Sequence, residues 1–254
     1  MISRLTVPFK DIFTTIFTVE TQEGVLIFDT GTYPEDITHR LLPFLAERNI
    51  RLDAIRAIFI SHSHGDHAGG LATLAPLVPD ARIYTRSKKL AEQFPAQSYQ
   101  PEDGEVILGD LQVVTIPGHS KDSMGLLDLR EETLLSGDCL QLYGIFGSGK
   151  WGSNITLPTL HVQALEKLAS LPIRRIYAAH DYHPQGWCFE GGKAVAEAIE
   201  NCRKPLYVIR DLIREHPDLS DEQLAELFRD GGNRPSIHNG VVTAVRKELA
   251  DERL

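Results

Sequence analysis

Cysteine is scarce in this chain of 254 residues: Cys139, Cys188 and Cys202 form an odd, scattered set. That pattern excludes a disulfide framework and fits reduced thiols in a cytoplasm. Basic charge is also short. Twenty-six Lys and Arg stand against 35 Asp and Glu, a net charge of −9, and no lysine or arginine run supplies the basic face of a nucleic-acid reader. No apolar stretch is long enough to cross a bilayer. The opening MISRLTVPFKDIFTTIF lacks the form of a secretory signal, because Lys10 and Asp11 interrupt its apolar residues too early. Internal repeats and low-complexity linkers are missing as well. The expectation is a cytoplasmic protein with a small-molecule partner, and with neither nucleic acid nor membrane. At 42% hydrophobic and 24% charged residues, the chain can bury a full core as one large domain or as a domain plus an extension.

Apolar strands recur, each followed by a polar, chemistry-bearing residue. FTTIFTVET and GVLIFDTG are dense in β-branched and aromatic residues, and the second ends in Asp29. PEDITHRLLPFLAERN then has apolar positions at helical spacing, and IRAIFIS is a short buried-type strand that runs straight into His62. Farther on, AGGLATLAP predicts a short helix closed by Pro76, ARIYTR a strand and SKKLAEQF a helix. DGEVILGDLQVVTIPGHS reads as a hairpin leading to His119, and MGLLDLREETLLSGD as a second, turned at Glu131 and Glu132 and ending at Asp138. LPTLHVQALEKLASLP is an amphipathic helix, and RRIYAAH a last buried strand ending at His180. From about Gly191 the pattern turns helical, with KAVAEAIENCRKPLYVIRDLIREHP, SDEQLAELFRDGG and VVTAVRKELADERL. Ser220 and Gln223 have the form of a capping box. Residues 1–200 are thus expected to form a catalytic domain and 201–254 a helical extension that covers an apolar face, walls a cleft or mediates a homodimer.

The densest polar stretch is SHSHGDHAGG, residues 61–70. In an extended loop alternate side chains share a side, so His62 and His64 can present both imidazoles to one ion. Asp66 and His67 fall where the chain turns into a helix, and so aim at a second position. Gly65 is expected to supply the backbone freedom of that turn, and Gly69 with Gly70 to permit close approach of the following chain. A catalytic metal takes about three protein ligands and keeps a position open, so two ions need more donors than this loop holds. His119, Asp138 and His180 each follow an apolar strand, where a sheet's edge would gather them, and a carboxylate such as Asp138 can bridge two cations where an imidazole cannot.

HSHGDH matches the HxHxDH signature of the metallo-β-lactamase-fold superfamily. The PGHS, SGD and AAH positions follow in that family's order, as do Asp29-Thr30-Gly31 and the DGEVILGDLQVVTIPGHS passage, so that residues 13–183 resemble it. The resemblance implies an α/β fold, a four-layer αββα sandwich with a small helical C-terminal extension and a binuclear site along one edge. It implies that His62, His64 and His119 hold one divalent ion, Asp66, His67 and His180 the other, and that Asp138 bridges. Asp29 would orient ligands, and Asp66 would also be catalytic, shuttling a proton to the leaving group. Zinc is the expected metal, with iron or manganese compatible with the same donors.

The implied activity is that of a metal-dependent hydrolase, of glyoxalase II or lactonase type, which attacks a thioester, lactone, ester or amide with hydroxide made available near neutral pH. A mononuclear iron, oxygen-using enzyme of the persulfide dioxygenase type and a metal-dependent phosphodiesterase are the alternatives. The complete seven-ligand set favours two metals over one, and the short gap from Asp138 to His180 leaves no room for an inserted nucleic-acid-gripping domain. Flavodiiron enzymes carry glutamate where this chain has His64. Tyr143, Lys150 and Trp151, on a glycine-rich loop, and His183 are candidates for substrate contact. Cys139 is expected to be buried, and His39, His161, His216 and His238 to be surface or helix residues without a catalytic task.

Overall fold

The computed structural model describes residues 1–141, 152–182, 186–230, 237 and 239–251. A first six-stranded sheet runs in chain order through β1 (Ile2–Phe9), β2 (Ile12–Thr21), β3 (Gly24–Phe28), β4 (Ile55–Phe59), β5 (Arg82–Tyr84) and β6 (Ser98–Tyr99). β1 to β3 form an antiparallel meander, whereas β3 to β6 are parallel. The connections hold a π-helical turn, Asp36–Leu41, that continues into α1 (Leu42–Glu47), then α2 (Gly65–Ala68), α3 (Leu71–Leu74) and α4 (Lys88–Gln93). The second sheet comprises β7 (Val106–Ile107), β8 (Leu111–Thr115), β9 (Met124–Asp128), β10 (Thr133–Leu135), β11 (Arg175–Tyr182) and β12 (Gly186–Glu190), each hydrogen-bonded to the next. Only β10 and β11 are parallel there, joined by a crossover that contains α5 (Pro158–Ser170).

The period-two alternation of side chains along a strand sorts these sheets into layers. Leu26 and Phe28 of β3 and Ala57 and Phe59 of β4 point inward, where they meet Val113, Met124, Leu126 and Leu135 of the second sheet. Their neighbours Val25, Ile27 and Ile58 point outward onto Ile37, Leu41, Leu45, Leu71 and Leu74 of the first helical layer. Val114, Leu127, Leu134 and Ile176 face the opposite way, onto Ala164, Leu165 and Leu168 of α5 and Val195 and Ile199 of α6 (Gly192–Asn201). The expected four-layer αββα sandwich is therefore present. The remaining helices, α7 (Lys204–Glu215), α8 (Asp221–Asp230) and α9 (Asn239–Asp251), have an apolar cluster of their own, to which Ile155 of the main body contributes. Among the described residues no helix is long and apolar enough to cross a membrane.

Some local expectations change. β1 precedes the first expected strand: it is half-buried along most of its length and contains Pro8, which an edge strand tolerates because one side of it donates to no neighbour. β12, the other sheet's edge, is likewise mostly half-buried and also escaped the apolar pattern. The long helical run after Gly191 splits at Cys202, since Pro205 fits the first turn of a new helix and not the interior of an old one. The capping box is formed: Ser220 N donates to Gln223 Oε1 at 2.9 Å, and Gln223 N donates to Ser220 Oγ at 3.2 Å. Gly65 needs no special backbone, because it begins α2 outside the positive-φ region and a Cβ there would meet nothing. Gly69 and Gly70 do need to be glycine, for a Cβ would lie 2.0 Å from Thr32 O and 2.2 Å from Thr30 O, respectively.

Candidate metal centre

All seven expected ligands converge at one edge of the sandwich. The chain leaves β4 at Ser61, passes His62 in the extended loop, and enters α2 with His64 as its extended N-terminal cap. His64 O accepts from the N–H groups of His67 and Ala68, which turns the chain into the helix, so that Asp66 and His67 meet His180 while the His67 ring stays 4.2 Å from that of His62. From the second sheet His119 follows β8, Asp138 follows β10, and His180 lies within β11.

Two donor sets result. His64 Nδ1 stands 3.0 Å from His62 Nε2 and 2.9 Å from His119 Nε2, so three imidazole nitrogens converge within hydrogen-bond distance of His64. Asp66 Oδ2 lies 3.4 Å from both His67 Nε2 and His180 Nε2. Asp138 stands between the sets with one oxygen toward each. Its Oδ1 is 3.3 Å from His67 Nε2 and 3.2 Å from His180 Nε2, and its Oδ2 is 3.5 Å from His119 Nε2 and 4.0 Å from His62 Nε2. Each set offers ligand atoms within 4.8 Å of one another, as do His62, His67 and Asp138.

The outward ring nitrogens are tied down, which fixes the nitrogens that face inward. His67 Nδ1 donates to Asp29 Oδ2 at 2.8 Å, His119 Nδ1 to Asn154 O at 2.7 Å, and His180 Nδ1 to Phe13 O at 2.7 Å. His62 Nδ1 lies 3.1 Å from Ser61 Oγ. Asp29, fully buried and in the left-handed region at φ 60°, also accepts from Ser61 N at 2.7 Å and Ser61 Oγ at 2.8 Å. This is the orienting place expected for it. Asp122, which belongs to none of the motifs, accepts from Ser63 N and Ser120 Oγ and so fastens the two histidine loops together.

Charge states follow from burial and neighbours. Burial, with the positive charge of His67, holds His62 well below the ordinary histidine range, and burial lowers His119 too. Burial works against the ionised Asp138, but His180 and His67 overcome it and hold its carboxyl well below the ordinary range. Asp66 is lowered against the same penalty by His67 and His180. Burial opposes charge on His67, yet Asp138, Asp66 and Asp29 push it well above its ordinary value. His180, despite burial, is raised to about 10 by Asp138 and Asp66. The buried Nε2 of His67 and Oδ1 of Asp138 have no hydrogen-bond partner. Ionised carboxylates, converging imidazoles and these two orphaned atoms are what a divalent cation satisfies, so the residues present fit such a group.

A cleft of about 190 Å³ opens over these residues, walled by Phe9 and Ile12 of the β1–β2 hairpin and by Gln141, Gly152 and Asn154. None of those wall residues carried a sequence signal. Tyr143, Lys150, Trp151, His183 and His238 lie outside the described residues. His39 and His216 are exposed as expected, and Cys139 is buried. His161 is a helix residue, within the expectation: it lies in α5, 1% exposed on the inner face, where Gly118 leaves it room, and burial lowers it to about 4.

Fold and site together define a protein built around a candidate metal centre on an αββα sandwich. The chain belongs to the metallo-beta-lactamase superfamily, whose family model matches residues 10–180. Hydroxyacylglutathione hydrolase of Prochlorococcus marinus is 27% identical over 198 residues, covering 73% of this chain and 74% of the relative. An atrochrysone carboxyl ACP thioesterase of Cryptosporiopsis sp. is 30% identical over 173 residues, or 66% of this chain and 48% of the relative. The chain spans about half the length of several curated relatives that it matches. Among solved structures, a metallo-beta-lactamase family protein of Thermus thermophilus superposes with a TM-score of 0.73 at 18% identity, over 99% of this chain and 94% of that one.

Proposed function

We propose that this protein is a binuclear metal-dependent hydrolase of a small carbonyl substrate, a thioester or lactone before other esters and amides. The carrying observation is Asp138, whose two oxygens face different donor sets. His62, His64 and His119 would hold one ion, and Asp66, His67 and His180 the other. Relatives named a hydroxyacylglutathione hydrolase and a carboxyl ACP thioesterase support an acyl substrate, and three unpaired cysteines support a reducing compartment.

Divalent cations bound there supply Lewis acidity and bring the pKa of water to near 7. The chain's own residues do the rest. Phe9 and Ile12 give the cleft an apolar wall for the acyl group, while Gln141 and Asn154 give it a polar one. Asp66 would hold its ion through Oδ2, which faces His67 and His180, and its other carboxylate oxygen is the place from which a proton taken from the attacking water can pass to the departing thiolate or alkoxide. Metal content of protein expressed without added metal, combined with turnover of thioester, lactone, β-lactam and phosphodiester substrates, tests the reading. Two zinc ions per chain with thioester or lactone turnover are expected, both impaired in His64→Ala. One iron with oxygen uptake, or unchanged metal and activity in that variant, would reject it.

The pH dependence of metal uptake follows from the same groups. His180, at about 10, and His67, above its ordinary value, carry protons at neutral pH and must release them to bind an ion. Affinity of the metal-free protein for Zn²⁺ should therefore rise with pH, by up to about tenfold per unit for each proton displaced. Titration in weakly buffered solution should show proton release, and an affinity that does not change between about pH 6 and pH 8 would contradict the charge assignment.

A further inference from the structure

Gln141 stands three residues past Asp138 and is only 3% exposed, yet both ends of its amide are engaged. Nε2 donates to Asp138 O at 2.8 Å, and Oε1 accepts from Asn154 N at 2.7 Å. A carbonyl can only accept and a peptide N–H can only donate, so this amide orientation alone satisfies both neighbours. The second neighbour matters because Asn154 O is the group that receives the Nδ1 proton of His119. The same segment embraces the His119 loop at other points: Thr156 N and Leu157 N donate to Gly118 O at 2.9 and 3.0 Å, and Thr156 Oγ1 donates to His119 O at 2.9 Å. Ser153 Oγ in turn donates to Gln141 O at 3.4 Å.

The side chain of Gln141 thus spans two stretches of backbone, one that carries Asp138 and one that aims His119. The separation it governs is the 3.5 Å between Asp138 Oδ2 and His119 Nε2. The other donor set is fixed independently, His67 by Asp29 and His180 by Phe13 O. We propose that Gln141 is a positioning residue that acts chiefly on one ion, the one assigned to His62, His64 and His119: through Asn154 it holds His119, which belongs to that set alone, whereas its hold on Asp138 is shared with the other set. This rests on the binuclear reading given above.

The test is competition of metal-free protein with a chromophoric chelator for Zn²⁺, in Gln141→Met, which keeps length and removes both hydrogen bonds. Losing such an orienting partner weakens metal affinity about 10- to 100-fold. One step of the titration should weaken by that factor, and the other, which shares only Asp138, by at least about threefold less. A residue that merely stabilises the fold would weaken both steps alike. In a His180→Ala background, Gln141→Met should still weaken the remaining step. In a His64→Ala background the loss on the remaining ion should be smaller than in the His180→Ala background, since only Asp138 carries the effect to it. Should Gln141→Met fail to fold, Gln141→Glu, which can accept from Asn154 N but as a carboxylate cannot donate to Asp138 O, carries the same expectation. Equal losses at both steps, or no loss, overturn the proposal. A wild-type chain that takes up one ion defeats the binuclear reading, and Gln141 is then judged on that ion: a tenfold loss supports its role and none refutes it.

Discussion

Asp138→Ala should lower turnover about a thousandfold, which corresponds to the loss of roughly 4 kcal/mol of charge stabilisation at the reacting centre. No other carboxylate in the cluster addresses both donor sets, and Asp66 faces only His67 and His180. The substitution also removes the anion that helps to raise His67 and His180 in the metal-free protein. Their protons should then leave at lower pH than in the wild type. Asp138→Asn separates the two effects, because it keeps the shape and one acceptor but abolishes the charge. Kinetics with the substrate found in the screen, set beside metal content, decide the matter. Activity within tenfold of wild type at full metal loading would remove Asp138 from its bridging role.

Asp29→Ala should be the most costly change for folding, about 3–5 kcal/mol, the range for breaking a buried charged pair by deleting one partner. Asp29 accepts hydrogen bonds from Ser61 N, Ser61 Oγ and His67 Nδ1 in a wholly buried position, so alanine strands all three donors. At two to four degrees per kcal/mol for a chain of this size, the thermal midpoint should fall by roughly 10 °C. Asn is the informative control: it tolerates the left-handed backbone at φ 60° and still offers an acceptor. Asp29→Asn should fold more stably than Asp29→Ala, yet orient His67 less firmly. Thermal unfolding with and without Zn²⁺ separates the two variants, and a midpoint unchanged in Asp29→Ala would show that the contacts of Asp29 contribute nothing.

Strands and helices were legible from apolar runs and helical spacing, but the sandwich they build was legible only through the family resemblance. Leu26 and Phe28 alternate with Val25 and Ile27, and each pair found its own layer. Edge strands β1 and β12 escaped because an edge is half wet, and mixed burial blurs the alternation. The seven converging side chains were legible because the HSHGDH signature and the ordered His119, Asp138 and His180 after apolar strands resemble one family's joint pattern. Their supports were not. Phe13 and Asn154 act through carbonyl oxygens that every residue possesses, so nothing in their identity announces the contact with His180 or His119. Gln141 is as ordinary in sequence, and only its position between two backbones gives it a task. The burial of His161 within its helix was not legible, because the glycine at 118 that makes space for it is remote in sequence.

The cluster also straddles the seam of the sandwich. His62, His64, Asp66 and His67 belong to one sheet's end, and His119, Asp138 and His180 to the other's. Elsewhere along that seam the two sheets adhere through Phe17, Leu26, Phe59, Leu126 and their neighbours, an attraction without direction, and through a few hydrogen bonds such as Thr15 Oγ1 to Ala179 O and Met124 N to Ser61 O, each 2.8 Å. Cations gripped from both sides would act as rivets: they would fix the lateral register of the halves and would have to be lost before the halves separate. By mass action, an ion at about a hundred times its dissociation constant adds roughly 2.7 kcal/mol to folding, so the durability of this protein becomes a readout of the metal supply around it.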